Sequence, residues 1–377
     1  MEVLIINPIP KGGICHYSYS LSQALFQKGL NFSLVTTKGE NEIDYFSPKF
    51  PVERVLTPLT EEIFTKFFHY LKNKKAIIRL TKERKVKVIH FQWLLSARFD
   101  YKFIYRLQKM GIKVVYTAHN LLPHEFRISD KKVYRRIYQA VDKIIVHAQQ
   151  NKKTLIELFN IPEKKIAVIP HGNYFSLREI NPELTLIEAR RILGLEKDDF
   201  YLLFFGNIRP YRGLDTLLKA MAYLRNIPQI KLIVAGDIKD EAICEDLVDL
   251  LRVRDSVNFY LTYIPLKYLG QYFYSADLVV LPYYQVYQSG AIQLAYAFHR
   301  PVISTRVGGI PEVVDEGKSG LLIPPGDERA LAKAILKLYN LPREKLREMG
   351  EYAYNLAKTK FSWEKIAEDT INLYQND

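Results

Sequence analysis

The chain has 377 residues, 48% of them hydrophobic and 25% charged, with a net charge of +13 and two cysteines. That length exceeds one ordinary core and suits two domains, and the balance of apolar and charged residues excludes a disordered chain. Cys15 and Cys244 exclude a disulfide framework or a cysteine metal site, and no apolar run approaches the ~20 residues of a membrane span.

Positive charge draws the chain toward anionic partners, without choosing among phosphorylated ligands, anionic lipid and nucleic acid. Met1 to Ile6 reads as the start of a first strand rather than a leader, because no basic flank precedes an apolar segment. With so little cysteine, the expected compartment is the reducing cytoplasm. Val3 to Asn7, Phe32 to Thr36, Val86 to Phe91, Lys113 to Tyr116, Lys143 to Val146 and Lys165 to Ile169 are short runs, mostly apolar on successive residues. Strands buried on both faces of a parallel sheet have this pattern. Between the first two, Tyr17, Leu21, Ala24 and Leu25 fall at helical spacing, and Gly29 ends that helix.

Over residues 63–87, Phe64, Phe67, Phe68 and Leu71 share helical spacing with Lys66, Lys72, Lys74, Lys75, Arg79 and Lys82 among them. Lys131, Lys132, Arg135 and Arg136 form a second basic cluster. Two expectations stand side by side: an interfacial helix on an anionic membrane, or an aromatic stripe packed on the first sheet under solvated lysines. Ile180 to Leu195 has few strand signals and reads as the linker. The alternating pattern then restarts with Phe200 to Phe205, the helical Leu214 to Leu224, Lys231 to Ala235, Ser256 to Tyr260, Leu278 to Leu281, Pro301 to Thr305 and Gly320 to Ile323. The fold class is therefore α/β, with two Rossmann-like doubly wound domains, ligands at the carboxyl edges of the strands, and a cleft between them as the active site.

Three loops carry the candidate chemistry. Gly12 and Gly13 follow the first strand and precede the first helix, where free N–H groups and a positive dipole end suit phosphate, although a plain tight turn has the same pattern. Asn207, Arg209 and Arg212 lie in Gly206-Asn207-Ile208-Arg209-Pro210-Tyr211-Arg212-Gly213, after the first strand of the second half. An arginine fork matches phosphate oxygens and stabilises a diphosphate leaving group as its charge grows. Gln288-Ser289-Gly290 starts a helix after Pro282, where Ser289 serves as a cap and its neighbouring amides as an anion cradle.

With Ala235-Gly236-Asp237, Ser275 to Pro282, Arg300 to Thr305, Val307 to Glu312 and Gly317 to Leu322, these segments make the second half resemble the retaining glycosyltransferases of the GT-B fold, family 4, group 1 type. Lys11 to Ile14, Thr117-Ala118-His119-Asn120 and Ile169 to Asn173 extend the resemblance over nearly the whole chain. It implies an N-terminal acceptor domain over 1–180, a C-terminal donor domain over 181–359 and a last helix over 360–377 crossing back to the first. It further implies transfer of a hexose from a nucleotide diphosphate sugar to a glycan or lipid-linked acceptor, in polysaccharide biosynthesis. Gly12, Gly13, Arg209, Arg212, Ser289 and Gly290 would then hold the diphosphate. His119 and Arg212 would act at the reacting sugar, with Asn120, Asn207, Gln285 and Gln288 as further sugar or nucleotide contacts. The family's paired glutamates fall on Val286 and Leu294, neither of which accepts a hydrogen bond; Gln285 and Gln293 keep the separation one residue out of phase.

No Asp-x-Asp pair occurs. The expectation is a metal-independent enzyme with no cofactor beyond its donor, in the cytoplasm and peripheral at the inner face of the membrane through residues 63–87. A GT-B subunit without transfer activity, a GT-B epimerase or phosphorylase, and a basic nucleic-acid-binding protein are the alternatives. The last lacks any helix-turn-helix, zinc-finger or RNA-binding signature, so no nucleic acid is expected.

Overall fold

Continuous apolar runs become two parallel sheets, each inside its own unit of the chain. The structure, a computed structural model, describes all residues but 59–61, 124–126, 239–241 and 377, and all their side chains but those of 63–64 and 242–245. Phe64 and Cys244 thus lie outside the described side chains.

The first unit comprises Met1–Gly172 and Phe361–Asp377. Its strands are β1 (Val3–Ile6), β2 (Phe32–Thr37), β3 (Val52–Leu56), β4 (Val88–Phe91), β5 (Lys113–Thr117), β6 (Lys143–Val146) and β7 (Ile166–Val168), ordered 3-2-1-4-5-6-7. Strand β3 escapes the sequence pattern for a physical reason: it is the sheet's edge, half-buried, and its Val-Glu-Arg-Val-Leu alternates where the central strands are continuously apolar. The last helix, Trp363–Gln375, belongs to this unit and packs on helix Gly13–Gln27. Lys28 there pairs with Glu364 and Glu368, and the Tyr374 hydroxyl lies 2.7 Å from His90 Nδ1.

Helix Ile63–Glu83 buries Tyr70, Asn73, Ile77, Leu80 and Thr81. Phe67 is 49% exposed, Phe68 67% and Leu71 36%, so these members of the aromatic stripe do not pack on the sheet. Among the described residues, no helix is long and apolar enough to cross a membrane.

The second unit is Asn173–Lys360. Its strands are β8 (Phe200–Phe205), β9 (Ile230–Ala235), β10 (Val257–Tyr260), β11 (Leu278–Leu281), β12 (Val302–Thr305) and β13 (Gly320–Ile323), ordered 10-9-8-11-12-13. Phe204, Leu217, Leu232, Val280 and Ile335 are fully buried in its core. Residues 180–195 are not a bare linker. They hold helix Leu186–Ile192, capped by Thr185, whose buried Arg190 meets Asp277 at 2.8 Å. That carboxylate also receives Arg343 and the Tyr201 amide, so the buried charges of Arg190 and Asp277 are paired.

Both sheets are doubly wound. Strand order reverses between β1 and β4 in the first and between β8 and β11 in the second. Such a reversal opens a crevice at the carboxyl ends of the two strands, because the loops leaving them diverge to opposite faces.

Candidate functional site

At the reversal point of the second sheet, the chain leaves β8 through Gly206, at φ +106°, and enters the next helix through Gly213, at φ +75°. A Cβ on Gly206 would overlap the Arg212 guanidinium, and one on Gly213 would overlap the Pro282 carbonyl. Only glycine lets the short turn Pro210–Arg212 fold back onto the strand ends. Arg212 is fixed there: Nη1 donates to Phe205 O at 3.0 Å and Asn207 O at 3.2 Å, and Nη2 to the Tyr283 hydroxyl at 3.4 Å. The guanidinium lies 5.5 Å from the centre of the Tyr283 ring. No carboxylate among the described residues pairs with it, so its charge is held in place and left available to an anion.

Tyr283 continues the network. Its hydroxyl lies 2.8 Å from Ser289 Oγ, which caps helix Gly290–Ala297 by accepting from Ile292 N at 3.4 Å. Gly290 sits under the Tyr174 ring, where a Cβ would crowd. Arg212, Tyr283 and Ser289 therefore form one linked edge across the loops that follow β8 and β11. Sequence reasoning missed Tyr283; its only signal was its place after Pro282 at a strand end.

The other expected residues of this unit are less tightly placed. Arg209 donates to its neighbour's carbonyl, Ile208 O, at 2.7 Å and lies 3.9 Å from Asp237. Asn207 and Gln285 are exposed. Gln288 is half-buried and its amide oxygen has no hydrogen-bond partner among the described residues. Gln293 is 1% exposed with neither amide atom partnered among those residues, while Val286 and Leu294 are buried apolar side chains. Buried amides left unpaired are uncommon and suit a water or ligand that completes them.

In the first unit, Gly12 adopts φ +82° and caps helix Gly13–Gln27. Its N–H is given to Glu42 Oε2 at 2.6 Å, and the same carboxylate oxygen lies 2.7 Å from His16 Nε2. Gly13 is exposed at the helix start.

Strands β5, β6 and β7 each end close to a histidine: His119, His147 and His171, all buried around Tyr17. Burial lowers the pKa of His147 to about 4 and of His171 to about 3, and holds His119 well below the ordinary histidine range; His90 within β4 falls to about 3 for the same reason. These rings are neutral, which fixes their protons. His147 Nδ1 must donate to Ile169 O, at 2.9 Å, so its Nε2 is bare and accepts from His119 Nδ1 at 3.2 Å. His119 Nε2 is then bare too. The atom 3.1 Å away is Gln92 Oε1, with the amide nitrogen 3.2 Å from His90 Nε2. A bond to the bare nitrogen therefore requires the amide assigned the other way round, its nitrogen on His119 and its oxygen accepting from His90. Both nitrogens of His119 are thereby occupied, which suits a positioning wall and not a proton carrier. Asn120 follows it, half-buried.

The fold and these two edges define a class: two Rossmann-like domains in tandem, the GT-B architecture, with a cationic seat on the second. Residues 187–356 match the family of Glycosyl transferases group 1, and residues 11–173 match Glycosyltransferase Family 4. The chain belongs to this family of sugar-transferring enzymes. It is 31% identical over 258 residues to a glycosyltransferase of uncharacterized specificity from Methanocaldococcus jannaschii, covering 64% of this chain and 62% of the relative. It is 32% identical over 285 residues to a D-inositol 3-phosphate glycosyltransferase of Corynebacterium jeikeium, covering 69% and 66%. The chain thus spans slightly under two thirds of the length of these curated relatives. Among solved structures, a sucrose-phosphate synthase from Thermosynechococcus elongatus superposes with a TM-score of 0.79 at 25% identity, over 99% of this chain and 98% of that one. Anabaena HepE in complex with UDP-glucose superposes at 0.80 with 18% identity over 100% of both chains, a likeness of fold alone.

Proposed function

We propose that this chain transfers a hexose from a nucleoside diphosphate sugar to an acceptor hydroxyl, with retention of configuration and without a metal ion. The Arg212–Tyr283–Ser289 edge carries the reading. A guanidinium already held by two carbonyls does not have to be ordered when the leaving diphosphate gains charge, so its stabilisation goes largely to the transition state. The start of helix Gly290–Ala297 adds backbone N–H groups and a positive dipole end. Arg209 and the amide of Gln288 are the next candidates for the nucleotide sugar, followed by Asn207 and Gln285. Gly12 and Gly13 take the diphosphate-binding role, and His119 and Asn120 the sugar-side roles, that the family resemblance implies, His119 as a neutral wall. The acceptor is a glycan or a lipid-linked sugar. The exposed rings of Phe67 and Phe68, beside exposed lysines, favour peripheral contact with an anionic membrane.

Thermal unfolding with a panel of nucleoside diphosphates and their sugars tests the reading, since a ligand of the native state raises the unfolding temperature by mass action. The expected result is stabilisation by at least one nucleoside diphosphate and turnover with its sugar. Stabilisation by none would overturn it. A second reading, a binding subunit without transfer activity, is favoured by the burial of Val286 and Leu294 where the family places its glutamates. Stabilisation without hydrolysis or transfer of any donor would establish that second reading.

A further inference from the structure

The first unit holds a cavity of about 890 Å³, formed by helix Ile63–Glu83, the loop after β4 and helix Ile128–Ala140. Its walls are predominantly apolar, including Phe67, Phe68, Tyr70, Trp93, Phe99 and Tyr134. Three of these rings stay in solvent: Phe67 is 49% exposed, Phe68 67% and Phe99 46%. Rings left exposed around one opening are what an apolar ligand would cover. The size falls within the roughly 300–1,000 Å³ of pockets that enclose small molecules.

Charge specifies the other end of the occupant. Lys66 and Arg98 line the cavity, both exposed, and neither pairs with a carboxylate among the described residues. Exposed Lys72, Lys75 and Arg79 continue along one bordering helix, and exposed Lys132, Arg135 and Arg136 along the other. The one lining carboxylate, Asp130, accepts the Arg127 amide at 2.8 Å at the start of its helix. An apolar well with a cationic lip fits an amphiphile with an anionic head.

We infer that this cavity holds the hydrocarbon chain of a lipid phosphate, whose head lies against Lys66 and Arg98, and that this lipid carries the hydroxyl to be glycosylated. The second half of that statement rests on the transferase reading; the first does not.

Trp93, in the wall, is the reporter, with Trp363 as a constant background. Hexyl, octyl and decyl phosphate, kept below their micelle-forming concentrations, are titrated while tryptophan emission is followed. Inorganic phosphate, decyl maltoside and decyltrimethylammonium are the controls. The expected result is saturable binding that tightens roughly fourfold per buried methylene and weakens with salt. Decyl phosphate should bind more tightly than decyl maltoside, and decyltrimethylammonium should not bind. Arg98→Gln should remove most of the preference for phosphate over maltoside. Phe68→Ser, at a site too exposed to endanger the fold, should weaken every chain and leave stabilisation by nucleoside diphosphates unchanged.

Three outcomes would overturn the inference. One is binding without chain-length dependence. Another is binding to phosphatidylglycerol vesicles but to no monomeric alkyl phosphate, which would mean surface association. The third is self-association abolished by Phe68→Ser, which would make a second copy the occupant. If alkyl phosphates bind as expected but nucleoside diphosphates do not, the transferase reading fails and the lipid site stands. If both bind, and sugar is transferred to soluble glycans but never to a lipid phosphate, the acceptor half of the inference fails.

Discussion

The two sheets reverse strand order in the same way, and their carboxyl edges carry different chemistry. In the second unit the edge is ionic. Arg212 is tied by Phe205 O, Asn207 O and Tyr283, and Ser289 caps the adjoining helix. In the first unit neutral histidines follow β5, β6 and β7, with both His119 nitrogens occupied, and at the reversal point itself the Gly12 amide is given to Glu42. Shared topology thus supplies the place, and the residues at strand ends decide what that place holds. One edge presents a fixed guanidinium; the other is hydrogen-bonded within itself, and the loop after β4 that carries Gln92 also walls an apolar cavity.

Removing the fixed charge should break the contrast most sharply. Arg212→Ala is expected to lower kcat/KM about a hundredfold, equivalent to about 3 kcal/mol for lost charge-assisted bonds to the diphosphate. Its unfolding temperature should stay within a few degrees of the parent, because the bonds it makes to protein go to two carbonyls at and just past the end of β8 and to one hydroxyl. Full activity in this variant, measured by initial rates, would remove the ionic edge from the mechanism.

The first unit should be the acid-sensitive one. His90, His147 and His171 titrate at about 3, 4 and 3 in the fold, against an ordinary value near 6.5. Below pH 6.5 the unfolded chain therefore binds more protons than the folded one, and stability falls as pH drops toward 4, by about 1.4 kcal/mol per pH unit for each histidine. Asp100 runs the other way. Burial raises its carboxyl to about 7, so its contribution is present at low pH and lost as pH rises from about 4 to 7, which offsets one histidine. Both tryptophans, Trp93 and Trp363, lie in the first unit. Their emission should report unfolding at a higher pH than far-ultraviolet circular dichroism, which sees both units. Coincident acid transitions would remove the asymmetry.

A finer test is Tyr283→Phe, which keeps the ring under Arg212 and deletes the hydroxyl that links it to Ser289. Turnover should fall about fivefold with little change in unfolding temperature, as for one lost hydrogen bond of about 1 kcal/mol. An unchanged rate would mean that Arg212 and Ser289 act independently. The smallest expected effect is none at all: a chelator in excess should leave initial rates unaltered, because the cationic edge supplies the neutralising charge. A rate restored only by added magnesium would mean that edge is insufficient.

Much of the fold was legible because strands buried on both faces are continuously apolar. Twelve of the strands were legible as short apolar-rich runs, the half-buried edge strand β10 among them, whereas β3, with Glu53 and Arg54 at its centre, was not. The helix at Gly290 and its Ser289 cap were legible for the same local reason, capping being a matter of neighbouring residues. The aromatic stripe of residues 63–87 was not. Helical spacing shows that Phe67, Phe68 and Leu71 share a region of one helix, but whether that region faces the sheet depends on how the helix is rolled.

The sequence by itself determined two doubly wound sheets, their order along the chain and the loops that carry arginine, serine and glycine, because periodicity, turns and caps are short-range. Tertiary structure decided what those loops become together. His119, His147 and His171 are separated by more than twenty residues each, and only parallel pairing of β5, β6 and β7 brings them to one edge. Tyr283 becomes the link between Arg212 and Ser289 only because β8 and β11 are neighbours. A cavity walled by three separate segments of the chain has no sequence signature at all, since its existence depends on space that packing leaves unfilled.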